Sequence, residues 1–562
     1  MASLAQHKTA ALLLGIIILG LGLRVVGIGY GLPNPGYLSS DEIDNVSKAL
    51  KFSTGELKPR HLNKPTLYNV LLFIEYATAF VLLNLLGIVR SISAFERLFF
   101  VNPSVFYLLA RLTSALAGTL QIVVVYWIGK RVADQRTGLF AAAFTAVAFS
   151  SVQYAHYAKT DILAALFVSL ALLGALRILD KPAMRAYLWC GLATGLALST
   201  KYNAAPALLF LLLAHFYARK QSTDAHRALS FRPADARLLV GIGAVIIGFF
   251  IGTPYALLHP LDFLRELRHV MILKEITGQK IILGYEQKAG LGFLALTMIK
   301  EYGWILLALI VAGTIVTLPK RHPSLVIIFA FLFAYLLLLA VSRHLDYQYI
   351  TMATPLFCVI AACGLTAIHR PELRIQTLLT IVIVAWQLVR IVPYDATLLG
   401  TDTRVQAGRW IEQHVPPTAV LLVDSPFYFH YYPAIKFTDD VYRSLANEQQ
   451  AAQESGLYFS KALQYNEGTP QYNVRFLSFD ALLIDGKAPP ETVPSLSELR
   501  DEGITHVITS SYAYQRFFDY RGSGFETVKD FYRQLEARAT LLGQFAPEKF
   551  RFSGPIIKIY KL

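Results

Sequence analysis

The chain has 562 residues, is 55% hydrophobic with a mean hydropathy of +0.46, and carries a formal net charge of +14. A soluble domain cannot hide that much apolar surface, so a polytopic membrane protein is expected. The cationic excess is spread over short loops between apolar runs, which is a topology signal and not a nucleic-acid surface; the three cysteines (Cys190, Cys358, Cys363) form no CxxC and no disulfide framework.

In chain order, eleven spans are expected, at about 11–30, 108–128, 138–157, 160–178, 186–200, 203–218, 238–256, 291–318, 324–341, 349–368 and 375–393. The first apolar run is too long for a signal peptide and no small-residue cleavage site follows it. Basic clusters follow every second span: Lys130, Arg131 and Arg136; Arg177, Lys181 and Arg185; Arg219, Lys220, Arg227, Arg232 and Arg237; Lys320 and Arg321; Arg370 and Arg374. The positive-inside rule puts these loops and the N-terminus in the cytoplasm, and the loop after the first span outside. That parity holds only if the apolar stretch 66–87, interrupted by Glu75 and Asn84, does not cross; it is expected to lie along or re-enter the outer leaflet. Beyond residue 394, helical stretches such as TRVQAGRWIEQHV alternate with short strands such as AVLLVD and HVITSS. This predicts an extracytoplasmic α/β domain over 394–562 behind a membrane domain over 1–393, whose first outer loop is 31–107. No GxGxxG or GxxxxGK[ST] supports nucleotide binding.

The expected topology gathers polar groups on one face: Asp41 and Glu42 in YLSSDEIDN, Arg60, His61 and Lys64 in RHLNKPTLY, Asp161 in HYAKTDILAAL, Lys201 in ALSTKYN, His259 in GTPYALLHP, and Arg343 with Tyr347 and Tyr349 in SRHLDYQY. Ionisable groups at helix ends near a bilayer are costly, which marks them as functional candidates. Each also has a plainer reading. Asp41, Glu42 and Asp161 suit helix first turns. Lys64 suits a solvated charge before a helix-starting proline, Arg343 an interfacial anchor, and the tyrosines an aromatic belt.

The runs SSDEID, NKPTLY, ARLTSALAGTLQIVVVYWIGKR, YAHYAKTDILAALF, GLATGLALSTKYN and DYQYITMATP, in that order, resemble the integral-membrane glycosyltransferases of the GT-C fold that use polyprenyl-phosphate sugars. The nearest likeness is to the lipid A aminoarabinose transferases and protein O-mannosyltransferases. The resemblance implies a multi-pass plasma-membrane enzyme that inverts a sugar from a polyprenyl-phosphate donor onto a lipid, protein or glycan hydroxyl outside the cell. It implies Asp41 as the catalytic carboxylate, Asp161 as a second acid with Glu42 assisting, and Lys64 on the lipid phosphate. Arg60, Lys201, Arg343, Tyr347 and Tyr349 are the further substrate-binding candidates. Asn63 stands where the aminoarabinose transferases carry a metal-binding glutamate, so a divalent metal is an open question with His61 and His259 as its candidate ligands. The rival reading is a lipid or solute transporter; against it, the two halves show no repeat and the ionisable residues cluster at helix ends rather than at the midplane.

Overall fold

The computed structural model describes residues 2–33, 40–55, 64–220, 235–268, 280–282, 290–342, 345–367, 373–424, 432–451, 457–468, 470–477, 479, 482–484, 493–520, 524–549, 551 and 553–562. The first half is helical: α1 (Ala2–Val25), α2 (Ser40–Lys51), α3 (Leu67–Leu85), α4 (Ile92–Val101), α5 (Ser104–Val132), α6 (Gln135–Ala146), α7 (Phe149–Ala155), α8 (Thr160–Asp180), α9 (Met184–Thr200) and α10 (Leu208–Lys220). Helices Ala236–Gly252, Gly290–Thr317, Pro323–Val341, Thr354–Ala367 and Leu373–Leu399 follow.

Among the described residues, seven helices are long and apolar enough to cross a membrane, or eight if α6 and α7, bent by 51°, form one span. The eleven expected apolar stretches are all helical in part, but several are too short to count. The stretch 349–368 contains only Thr354–Ala367 as α-helix, preceded by a 3-10 turn over Tyr347–Met352, and a 3-10 turn over Tyr202–Ala207 precedes α10. Apolar composition runs continuously through these turns, so an apolar stretch and an unbroken α-helix do not coincide there.

By length and composition α3 is one of the seven. Tyr68 donates to the Ala110 carbonyl (2.7 Å) and Tyr76 to the Phe106 carbonyl (3.1 Å), both on α5, and Thr66, just before α3, donates to the Gly252 carbonyl (2.7 Å).

Helix packing uses a seam of small residues. A methyl group at Gly191 or Gly195 on α9, or at Gly248 on Ala236–Gly252, would run into the facing backbone. Such seams let two helices in an apolar solvent approach to backbone contact. The seam fixes the end of α9, and with it Lys201.

Residues 403–561 build a six-stranded sheet in the order β3 (Lys436–Phe437), β4 (Gln471–Leu477), β2 (Val420–Asp424), β6 (His506–Ser510), β8 (Ile557–Lys561), β7 (Thr540–Phe545). The first four strands are parallel and the last two pair antiparallel. Helices Thr403–His414, Asp439–Ala451, Ser511–Asp519 and Glu526–Arg538 accompany the sheet. Val423 and Ile508 join the core formed with Ala407 and Ile411; Leu422 and Val507 join the other, with Phe517 and Phe531. Alternation along a strand sends neighbours to opposite faces, which explains the two cores. A separate pair, β1 (Lys280–Ile282) with β5 (Leu482–Ile484), ties the sheet domain to the segment before Gly290–Thr317.

Candidate active site

α2 begins with Ser40-Asp41-Glu42 and ends with Lys48 and Lys51, acids at the N-terminus and bases at the C-terminus, as the helix dipole favours. Its buried positions are Glu42, Asn45, Val46, Lys48 and Ala49, mostly at the i, i+3, i+4, i+7 spacing of one helix face. That face is stitched to the turn between α7 and α8. The Ala158 amide donates to Glu42 Oε1 (2.8 Å), and Asn45 donates to the Ala158 carbonyl (2.8 Å). Asn69 on α3 then donates to the Asn45 carbonyl (2.9 Å).

The stitching brings Asp41 to Lys159, the residue after Ala158. Asp41 Oδ1 accepts from Lys64 Nζ at 2.6 Å, and Asp41 Oδ2 lies 3.2 Å from Lys159 Nζ. Lys64 also lies 3.9 Å from Asp44, which Lys48 pairs at 2.9 Å. Each oxygen of one carboxylate therefore faces its own ammonium. Burial acts to raise the Asp41 pKa, but Lys159 and Lys64 outweigh it and hold the carboxyl far below the usual range. Burial likewise opposes the charge on Lys64 and Lys159. Asp41 and Asp44 overcome it for the first, and Asp41, Asp161 and Asp346 for the second, so both ammonium pKa values rise.

Lys159 is the hub of the cluster. Besides Asp41 it donates to Gln348 Oε1 at 3.0 Å, from the 3-10 turn over Tyr347–Met352. On its far side, Asp161 in the first turn of α8 accepts from Lys201, whose ammonium sits 4.5 Å from the Tyr349 ring centre. The Tyr349 carbonyl is held by Tyr335 (2.6 Å). Lys300 stands 3.4 Å from the Tyr347 ring centre, and Phe293 packs on the same ring at 5.1 Å. Tyr347 and Tyr349 are thus backed by cations, a cation–π arrangement and not a free aromatic belt.

Glu42 departs from expectation. It is fully buried and holds Arg111 through two bonds, Nε to Oε1 (2.9 Å) and Nη2 to Oε2 (3.0 Å). With the Ala158 amide, both its oxygens are committed. Arg111 Nη1 donates to the carbonyls of Ile28 (2.8 Å) and Tyr30 (2.7 Å). This carboxylate faces no opening through which a reacting group could approach, and the buried face of α2 is why.

The structure brings Asp41, Lys64, Asp161, Lys201, Tyr347 and Tyr349 into one neighbourhood and adds Lys159 and Gln348, which the sequence reading had not singled out. The signal for Lys159 was its place two residues before Asp161 in a tight turn. Arg60, His61, Asn63 and Arg343 lie outside the described residues. His259 is exposed and stacks on Tyr255 at 4.8 Å. No group of three His, Cys, Asp or Glu able to hold a metal occurs among the described residues.

Residues 95–229 match the family model described as dolichyl-phosphate-mannose-protein mannosyltransferase. No curated protein matches the chain. In fold, the chain is similar to ArnT from Cupriavidus metallidurans in the apo state, with 13% identity, 99% of this chain and 98% of that one covered, and a TM-score of 0.51. The archaeal oligosaccharyltransferase AglB from Archaeoglobus fulgidus aligns at 12% identity over 91% of this chain and 71% of that one, with a TM-score of 0.47. The chain therefore shares the fold of ArnT, and the segment that matches the mannosyltransferase model carries Arg111, Lys159, Asp161 and Lys201.

Proposed function

We propose that the protein transfers a sugar from a polyprenyl-phosphate donor to an acceptor hydroxyl at the extracytoplasmic face of the plasma membrane, with inversion at the anomeric carbon and Asp41 as base. The observation that carries this reading is the carboxylate of Asp41 held between two ammonium groups, in a half-buried site at the turns between membrane helices. The family description over 95–229 supports a lipid-phosphate sugar as donor. The alternation of basic loops supports the orientation.

The acceptor O–H gives its proton to Asp41 while its oxygen bonds to the anomeric carbon. The bond from that carbon to the phosphate oxygen breaks, its electron pair stays on the phosphate, and polyprenyl phosphate leaves. A phosphate is a stable anion, so cations suffice where a strong acid would otherwise be needed. Lys64 and Lys159 supply that charge, preorganised and partly desolvated. A positioned base contributes roughly 10²–10⁴-fold.

The same two lysines suppress the basicity of Asp41 while the site is empty. The donor phosphodiester carries one negative charge, as a carboxylate does, and competes for both ammonium groups; as its bond to the sugar breaks, the leaving phosphate gains a second charge and draws them from Asp41, which frees the base. Donor binding before acceptor activation follows. Asp161, oriented by Lys201, is assigned to a sugar hydroxyl, with Tyr347 and Tyr349 as its neighbours.

The test is the release of undecaprenyl phosphate from an undecaprenyl-phosphate sugar by purified protein in the presence of acceptor. Asp41→Asn should lower turnover about 10²–10⁴-fold while affinity for the bare lipid phosphate is kept or tightened, since both ammonium groups are freed. Wild-type turnover in that variant would remove Asp41 from the role.

A further inference from the structure

Among the described residues, the sheet domain meets the helical body at three places. Two are peripheral. The β1–β5 pair is one. In the other, α4 presents Arg97 to Glu467 (3.1 and 2.6 Å) and Glu96 to Lys461 (3.1 Å) and Tyr465 (3.0 Å), with Phe100 stacked on Tyr465 at 5.6 Å. These are exposed or half-exposed ion pairs of small energetic weight.

The third is different in kind. Asp402 caps the helix Thr403–His414 and is buried; its carboxylate accepts from Arg404 at Nε (2.7 Å) and Nη2 (2.8 Å) and from the Arg404 amide (2.9 Å). Into this closed ion pair the hydroxyl of Tyr30 donates at 2.5 Å, from the turn that follows α1. Ser553, beside the last strand, bonds both. The carbonyl of the same Tyr30 is one of the two that hold Arg111, and Arg111 holds Glu42, the neighbour of Asp41.

We infer that Tyr30 and Asp402 are positioning residues through which the seating of the sheet domain sets the place of Asp41. The path is Asp402, Tyr30, Arg111, Glu42, Asp41, and its first four members are each 9% exposed or less. Every step is a direct hydrogen bond or one peptide unit. Buried, close-packed polar chains of this kind have few alternative arrangements, because each displaced group would be left unsatisfied. Moving Asp402 by a fraction of an ångström cannot be absorbed by water at any step. It must be taken up by the turn after α1 or passed to α2. A peripheral clasp of exposed side chains has no such constraint.

The inference rests on the transferase reading only for its functional consequence, and its physical core is read without turnover. Tyr30→Phe deletes one hydroxyl and leaves the Asp402–Arg404 pair and the Tyr30 carbonyl in place. Hydrogen exchange of the full-length protein in nanodiscs should show α2 (40–51) exchanging about 10-fold faster in Tyr30→Phe and unchanged in Arg97→Ala, which opens the peripheral clasp. In turnover, Tyr30→Phe should lower kcat about 10-fold with the KM for the lipid donor held within about twofold, and Ser553→Ala should show a smaller effect of the same kind. Unchanged α2 exchange in Tyr30→Phe overturns the inference. So does equal loosening of α2 by Arg97→Ala, since domain docking in general would then be the cause. An inactive wild type would instead count against the transferase reading alone.

Discussion

Glu42 and Asp41 are adjacent acids with opposite environments, and the difference can be measured. Glu42 and Arg111 have side chains 0% and 1% exposed and share two hydrogen bonds of 2.9 and 3.0 Å. Charge-assisted, bidentate pairs of this sort are the strong ones. Glu42→Gln preserves shape but leaves a buried guanidinium without its counter-ion, which costs about 3–5 kcal/mol. Arg111→Gln leaves a buried carboxylate and frees the carbonyls of Ile28 and Tyr30, at about 1–3 kcal/mol for each unsatisfied group on top of the broken pair. The double variant removes both charges, so it should cost less than the sum of the singles by about 2–3 kcal/mol. Asp41→Asn, at a half-open site, should cost about 1 kcal/mol or less. A chain of two architectures does not unfold in one step, so the assay is the shift in apparent denaturation midpoint of detergent-solubilised protein, compared across the four variants. If Glu42→Gln is as stable as wild type yet inactive, Glu42 acts on the reaction and its assignment as a clamp is wrong. Additive costs for the two single changes would equally refute the pair as the unit of stability.

Lys159→Met should weaken binding of bare undecaprenyl phosphate by about 10–100-fold, the worth of one charge-assisted hydrogen bond. It should also return the acid limb of the pH–rate profile toward the ordinary carboxylate range near pH 4. The sign follows from Asp41: its lowered pKa gives stability that is present above the ordinary value and lost as pH falls, and removing Lys159 narrows that window. Unaltered lipid affinity and an unaltered limb would show that Lys159 is structural. In the sheet domain, burial pushes the Asp424 carboxyl up to about 7, against a hydrogen bond from Tyr532 at 2.6 Å. The folded state then holds the proton longer than the unfolded chain, so stability should fall as pH climbs from about 4 to about 7, by up to roughly 4 kcal/mol. Asp424→Asn should flatten that dependence, and a protein equally stable at pH 5 and pH 8 would refute it.

The helical architecture was legible because apolar composition survives every local irregularity. The number of full-length helices was not, because turns such as Tyr202–Ala207 and Tyr347–Met352 are built from residues as apolar as the helices around them. Those turns matter most for the site. They carry Tyr347, Gln348 and Tyr349 and adjoin Lys201, and side chains leave a turn in directions that no period of 3.6 predicts.

The acidic pair shows the other limit. Successive residues on an α-helix point about 100° apart, so of two adjacent acids at most one can face a narrow opening. The sequence held the information needed to choose between them. Glu42, Asn45, Val46 and Ala49 fall on one helix face, and two of the four are apolar, so Glu42 lies on the side that packs and Asp41 beside it does not. Missing from the sequence was the partner: a buried glutamate is tolerable only opposite a cation, and Arg111 stands 69 residues away on α5. Only the fold joins them. Once joined, the clamp on Glu42 fixes the rotation of α2, and that rotation turns Asp41 toward Lys64 and Lys159. On this reading the residue that does no chemistry decides which residue can.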